Sequence, residues 1–139
     1  MIKKMMFVLL FATASVGCSS EDPTKYPSSS ATYAKLNEEV GCDSKFVDDK
    51  KNDIFNSNYV NHWMTWKGQV FSAEANELSL NLDGKGIQDL HVIFADSKGG
   101  YDVLKDEIVT VKFVMKSAGG CILPFEGTQA VIVRESKPL

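Results

Sequence analysis

Apolar and polar residues alternate with a period of two along most of the chain after Val60, and this pattern constrains the fold more than any other feature. Successive side chains of a β-strand point to opposite faces, so the alternation indicates strands with one buried face. Five runs show it, over 63–71, 77–82, 90–95, 109–116 and 125–134. Gly68 lies inside the first run and predicts a bend or bulge there. The chain is therefore predicted to be mainly β.

The connections between the runs indicate how the strands are joined. Asp83-Gly84 is a strong hairpin signal between the second and third runs. A polar connector over 96–106, long enough for a short helix, separates the third run from the fourth. Five strands with a longer insertion between the third and the fourth follow the order of an OB-fold. We therefore expect a five-stranded, OB-fold-like Greek-key barrel.

Two stretches resemble one group of OB-fold proteins. Trp66-Lys67-Gly68-Gln69-Val70 is similar to the W-x-G-x-V strand-one signature of bacterial OB-fold lipoproteins and of periplasmic OB-fold proteins of the tRNA-anti-like kind. The stretch Lys105–Val111, a polar turn followed by alternating aliphatic residues, is similar to strand four of that group. The resemblance covers residues 46–135, and it implies a fold without a function, because one barrel hosts many activities.

One or two short helices are predicted before the first strand. The composition of 31–40 favours a helix, which Gly41 would end. Asp43 or Ser44 would then cap a second helix that continues through Phe55. The residues expected on its buried stripe are Val47, Ile54 and Phe55.

The N-terminus resembles a bacterial lipoprotein signal. Lys3 and Lys4 precede an apolar run over 5–12, and Ser15-Val16-Gly17 leads into Cys18 with small residues. The resemblance implies that 1–17 is removed and that Cys18 is acylated as the first mature residue. Because Ser19 follows the cysteine, it also implies sorting to the outer membrane. We expect the anchored domain to face the periplasm, although the residues do not specify the side. The alternative is a plain secretory peptide that is cut elsewhere and leaves Cys18 free.

The segment 18–32 is predicted to be a flexible, lipidated tether, and 33–139 to hold the helical lead-in and the barrel. Ser, Pro, Thr and charged residues dominate the segment, and such a composition cannot bury a core.

Two further cysteines remain if Cys18 carries lipid. Cys42 and Cys121 are an even pair in an oxidising compartment, so we predict a disulfide between them. A metal pair is the alternative, but zinc needs four ligands at short spacings and neither cysteine has a nearby histidine. The bridge would pin the helical segment to the loop between the fourth and fifth strands, which OB-folds often use for ligands.

Charge and motifs disfavour several classes of function. The chain carries 15 Lys and Arg against 18 Asp and Glu, a formal net charge of −3, and no basic run, which disfavours a nucleic-acid partner. It contains no Gly-rich phosphate loop, zinc motif or nucleophile elbow. We therefore predict no cofactor, no metal and no enzyme activity.

A ligand face is predicted from the fold, because OB-folds bind on strands one to three. An aromatic ring with amides and hydroxyls suits a sugar, a peptide or a protein loop. The outward positions expected there are Trp63, Lys67, Gln69, Ser79, Asn81 and His91. The alternative is a solvated sheet face with Trp63 folded under the helices.

Three functions follow in order of preference. The first is a non-catalytic envelope lipoprotein whose barrel binds a protein or glycan partner. The second is an inhibitor or exclusion factor against an incoming hydrolase or mobile-element machinery, since Ser97-Lys98-Gly99-Gly100-Tyr101 partly resembles the Ser/Gly/Tyr loop of C-type lysozyme inhibitors. The third is a hydrolase centred on His91, with Ser79 and Asp89 nearby.

Overall fold

Five strands close into a barrel in the computed structural model, which describes residues 21–134. The elements in chain order are a 3₁₀ turn at Pro23–Lys25, α1 at Tyr33–Val40, α2 at Asp48–Asn58, β1 at Trp63–Ala73, β2 at Glu77–Asn81, β3 at Leu90–Phe94, β4 at Ile108–Ser117 and β5 at Phe125–Val133. The strand order around the barrel is β1-β2-β3-β5-β4. Only β3 and β5 pair in parallel; the other neighbours are antiparallel. The prediction of a mainly β, five-stranded barrel preceded by one or two short helices is confirmed, and two helices are present. The closed barrel is compatible with an OB-fold-like domain.

The apolar side chains of the alternating pattern fill the interior of the barrel. Along β1, buried and exposed residues alternate from Met64 to Val70. The largest fully buried side chains come from α1 and from four of the strands. They are Leu36, Met64, Val70, Leu78, Leu80, Leu90, Val92, Val111, Phe113, Val114 and Met115. Burial of these apolar side chains is the main stabilising contribution to the fold.

The helix α1 covers the end of the barrel where β3 and β5 begin. Thr32 caps it by accepting a hydrogen bond from the backbone N–H of Lys35 (3.2 Å). Leu36 is fully buried, and the Tyr33 ring meets Trp66 and Phe125 edge to face, with centroids 5.9 Å away in both cases. The helix α1 precedes the strands in the chain, and its side chains form part of the hydrophobic core of the barrel.

The connector between β3 and β4 covers the opposite end of the barrel. It consists of consecutive turns and contains no helix, although its length allowed one. The backbone N–H of Gly100 donates to the carbonyl of Ala75 (2.9 Å), which joins the connector to the β1–β2 turn. A Cβ atom on Gly99 would lie 2.6 Å from the Phe94 ring, so this close approach needs glycine.

Within the segment predicted to be a tether, residues 23–29 are bound to the start of β1. Ser28 forms a parallel bridge with Trp63, whose backbone N–H donates to the carbonyl of Pro27 (2.8 Å) and whose carbonyl accepts from Ser29 (2.9 Å). The indole Nε1 of Trp63 donates to the carbonyl of Pro23 (2.9 Å). Main-chain groups make these bonds, so a composition poor in apolar side chains did not reveal them. The signal segment 1–17 and Cys18 lie outside the described residues.

The two helices match the sequence in number but not in every boundary. Gly41 ends α1 as expected. The second helix starts at Asp48, not after Asp43 or Ser44, and it has no side-chain cap. Ser44 instead donates its hydroxyl to the carbonyl of Glu39 (2.7 Å) and closes the turn between the helices. The predicted burial of Val47 is therefore wrong, since it precedes the helix and is 73% exposed.

The predicted disulfide is confirmed. Cys42, between α1 and α2, is bonded to Cys121, in the loop between β4 and β5, with a Cα–Cα distance of 4.7 Å. The bridge ties the α1–α2 connection to that loop, and both cysteines are exposed. It therefore acts as a surface clamp outside the hydrophobic core.

Candidate functional site

Five of the six predicted ligand residues lie together on the outside of β1, β2 and β3. Gln69 is directly opposite Asn81, and Ser79 is directly opposite His91. Lys67 continues this face along β1, two residues before Gln69. Trp63 begins β1 and therefore lies at the far end of the same strand. The geometry brings five of the predicted residues into one region and separates the sixth.

Trp63 and Ser79 are less accessible than the sequence suggested. The indole of Trp63 is bonded to Pro23, and the amine of Lys112 lies 5.1 Å from the centre of its ring. Ser79 is only 5% exposed, and its partners on the neighbouring strands are Ser72 and His91. The expectation that Ser79 offers a solvent-facing hydroxyl is wrong.

Asn81 holds the turn between β2 and β3. Its Nδ2 donates to the carbonyls of Lys85 (3.1 Å) and Ile87 (2.8 Å), and its Oδ1 accepts from the backbone N–H of Gly84 (2.7 Å). Gly84 has a φ of 74°, a conformation that glycine adopts without strain. The side chain predicted to bind a ligand thus shapes the turn beside the face.

Asp89 holds the same turn from its other end. Its Oδ2 accepts from the backbone N–H of Leu82 (2.7 Å), and its Oδ1 accepts from the Tyr33 hydroxyl (3.1 Å). Burial, followed by the charge of Asp89, raises the pKa of Tyr33 above its ordinary value, so the phenol stays protonated and can donate. This contact connects α1 to the β2–β3 turn.

The arrangement around His91 differs from the hydrolase hypothesis. The Nε2 atom of His91 lies 3.3 Å from Oε2 of Glu77, and Asp89 bonds to the turn and to Tyr33. Ser79 is the cross-strand neighbour of His91, but it is buried. The carboxylate beside His91 is therefore Glu77, which the sequence argument did not select.

A groove of about 690 Å³ lies between α1, the outside of β1 and the β2–β3 turn. Helix α1 contributes Tyr33 and Asn37 to its lining, and β1 contributes Thr65 and Lys67. The turn adds Leu82, Asp83 and Lys85. Of the predicted ligand residues, Lys67 is the one that lines it.

The groove carries charges of both signs. The carboxylates are those of Glu38, Asp43 and Asp83, and the amines are those of Lys67 and Lys85. Asn37 donates from Nδ2 to Oδ2 of Asp43 (3.2 Å), which positions this carboxylate at the rim. A polar segment with both donors and acceptors can therefore pair along the groove.

Sequence reasoning missed the contributions of α1 and of the turn. Tyr33 and Asn37 are four residues apart, and this spacing does place them on one helix face. No local pattern indicates, however, that this face lies beside the β2–β3 turn, because the contact of Tyr33 with Asp89 joins residues 56 positions apart.

Within residues 21–134, no helix is long and apolar enough to cross a membrane. In the same part of the chain, no three His, Cys, Asp or Glu side chains converge as a metal site requires. No protein-family model matches the chain, and no match was found among curated proteins.

Proposed function

We propose that this chain is a non-catalytic lipoprotein of the outer membrane, anchored through acylated Cys18 and facing the periplasm, whose barrel binds a protein partner. The observation that carries the binding role is the groove between α1, β1 and the β2–β3 turn. Its parts are held in place before any partner arrives, by Asn81 and Asp89 in the turn and by the disulfide beyond α1. Such preorganisation lowers the entropic cost of binding.

The lining of the groove favours a polypeptide over a glycan. A sugar is typically held on the open face of an aromatic ring, but Trp66 is only 5% exposed and Tyr33 is occupied by edge contacts with Trp66 and Phe125. Trp63, the ring that suggested a sugar in the sequence, is bonded to 23–29. Charges of both signs around Leu82 suit a peptide segment with an apolar side chain between polar ones.

The lipid anchor is supported by the sequence alone, through the apolar run that leads into Cys18. Growth with labelled palmitate tests it directly. The full chain should incorporate the label and fractionate with the outer membrane, whereas Cys18→Ala should do neither. A mature protein without fatty acid would contradict the anchor.

Site-specific photocrosslinking tests the groove in intact cells. A photoreactive amino acid at Lys85, which is exposed and lines the groove, should yield a covalent protein adduct. The matched control is the same amino acid at Lys98, which is exposed in the β3–β4 connector. Lys67→Glu should reduce the adduct, and Lys105→Glu, outside the groove, should not. Adducts at Lys98 alone, or adducts with glycan alone, would contradict the proposal.

A second candidate is an inhibitor of an incoming hydrolase that acts through the β3–β4 connector. The specific observation in its favour is Tyr101, which is 74% exposed next to the glycine pair of that connector. A lysozyme assay with added protein separates the two candidates. Inhibition that Tyr101→Ala abolishes and Lys67→Glu leaves intact would favour the second.

A further inference from the structure

The segment 23–29 is bound to the first residue of β1. Pro23, Pro27 and Ser29 are all hydrogen-bonded to Trp63, and Asp22 caps the 3₁₀ turn by accepting from the backbone N–H of Thr24 (3.0 Å). The segment held at the first residue of β1 therefore reaches back to Asp22.

The distance from Asp22 back to Cys18 is short. Four residues can span at most about 14 Å, since an extended chain advances about 3.3–3.6 Å per residue. A free tether over 18–32 would reach about 50 Å by the same measure. Because 23–29 is bound, the barrel can lie at most about 14 Å of chain from Cys18 and not the about 50 Å that a free tether would allow.

The far end of the barrel lies beyond this reach. The strand β1 has 11 residues, so its ten steps from Trp63 to Ala73 correspond to at most about 34 Å of extended strand. The β3–β4 connector is joined to the far end, through the hydrogen bond from Gly100 to Ala75. A chain of about 14 Å cannot place Cys18 in a bilayer that faces this connector.

The surface around the start of β1 is suited to lipid headgroups. We call it the N-terminal face and define it by Lys25, Tyr26, Lys112 and Lys116, with Glu21 and Asp22 at its edge. The amine of Lys116 lies 5.1 Å from the centre of the Tyr26 ring and bonds to Oδ1 of Asn61 (2.6 Å). The three lysines are exposed. Lysines beside aromatic rings are typical of the boundary between water and bilayer, where amines meet phosphates.

We propose that the N-terminal face lies against the phosphate headgroups of the bilayer, so that the barrel is held close to the membrane with its β3–β4 connector pointing away. This placement rests on the proposed acylation of Cys18. The anchor then also determines the orientation of the barrel, because the short link and the bound segment together place one end of the barrel next to the membrane.

Fluorescence quenching on vesicles tests the placement. The acylated full chain is reconstituted in phosphatidylethanolamine–phosphatidylglycerol vesicles that contain a headgroup-nitroxide lipid. A fluorescent amino acid replaces either Lys25 on the N-terminal face or Lys98 in the connector. The Lys25 label should be quenched several-fold more strongly than the Lys98 label. Equal quenching at the two positions would overturn the placement.

A linker variant tests the cause of the orientation. Fifteen Gly and Ser residues inserted between Glu21 and Asp22 should bring the quenching of the two labels together, since the barrel is then free to turn. An unchanged difference would overturn the role of the short link. Failure of the acylated chain to bind vesicles at all would refute the proposed anchor and the placement with it, whereas bound protein with equal quenching refutes the placement alone.

Discussion

Replacing both Cys42 and Cys121 with serine isolates the contribution of the cross-link to the free energy of unfolding. Both cysteines are exposed, so the double substitution neither opens a core cavity nor buries a polar group. Cys18 is untouched, and the proposed acylation with it. The change in stability therefore reports the covalent bond itself.

The magnitude follows from the loop that the bridge closes. The two cysteines are separated by 79 positions, and the loop contains α2 and β1 to β4. In the chain-entropy description, a cross-link over such a loop stabilises the fold by about 4.5 kcal/mol, because it restricts the unfolded chain. A domain of this size has a free energy of unfolding of about 5–15 kcal/mol, so the variant should lose a large part of it.

Urea unfolding followed by tryptophan fluorescence measures the loss. The variant should unfold at lower urea with a steeper dependence on denaturant, because its unfolded chain exposes more surface. The reduced wild-type protein is the matched control and should unfold at the same midpoint as the variant. A loss below about 1 kcal/mol with an unchanged slope would refute the entropic reasoning.

Three further predictions concern α1, the β2–β3 turn and alkaline pH. Leu36→Ala should lower the free energy of unfolding by about 2–5 kcal/mol, since it leaves a cavity at a fully buried position between α1 and the barrel. Urea unfolding measures this loss, and a smaller loss would mean that α1 is not part of the core. Asp89→Ala should lower the free energy of unfolding by about 2 kcal/mol, because it leaves the backbone N–H of Leu82 and the Tyr33 hydroxyl without their acceptor. The amide protons of the β2–β3 turn should exchange faster than in the wild type, and an unchanged exchange rate would contradict this. Burial and the bond to Glu39 raise the pKa of Tyr59 to about 12 from an ordinary value of 10.0. The neutral phenol therefore contributes its full stabilisation below pH 10, and this contribution is lost as the pH rises to about 12. The melting temperature of the wild type should fall over this pH range, and Tyr59→Phe should remove the part of the fall that comes from Tyr59.

Elements with a local signal were predictable, and those that depend on distant contacts were not. The alternation in 63–71 and 90–95 identified β1 and β3, because a strand repeats every two residues wherever it lies. The parallel pairing of β3 with β5 has no such signal, since it joins residues about 35 positions apart, such as Leu90 and Phe125. The start of α2 was misplaced for a different, local reason, because Ser44 bonds to Glu39, five residues earlier, and does not cap the helix.

The residues of the candidate site were also only partly predictable from the sequence. Lys67 was selected from its outward position on β1, and the structure places it in the groove. Asn81 was also selected, but its amide bonds to carbonyls of the turn that follows it. A sequence shows which polar side chains point outward, but it does not show which of them already have partners.

By itself the sequence determined the strands, the paired cysteines and the acidic character of this protein, because periodicity, cysteine number and charge are carried by residue types. Only the tertiary structure decided that 23–29 is bound to Trp63, that α1 lies beside the β2–β3 turn, and that a groove forms between them. These features arise from hydrogen bonds and packing between residues tens of positions apart. Such contacts leave no periodic trace, since the partner of each group is set by where the closed barrel brings the chain.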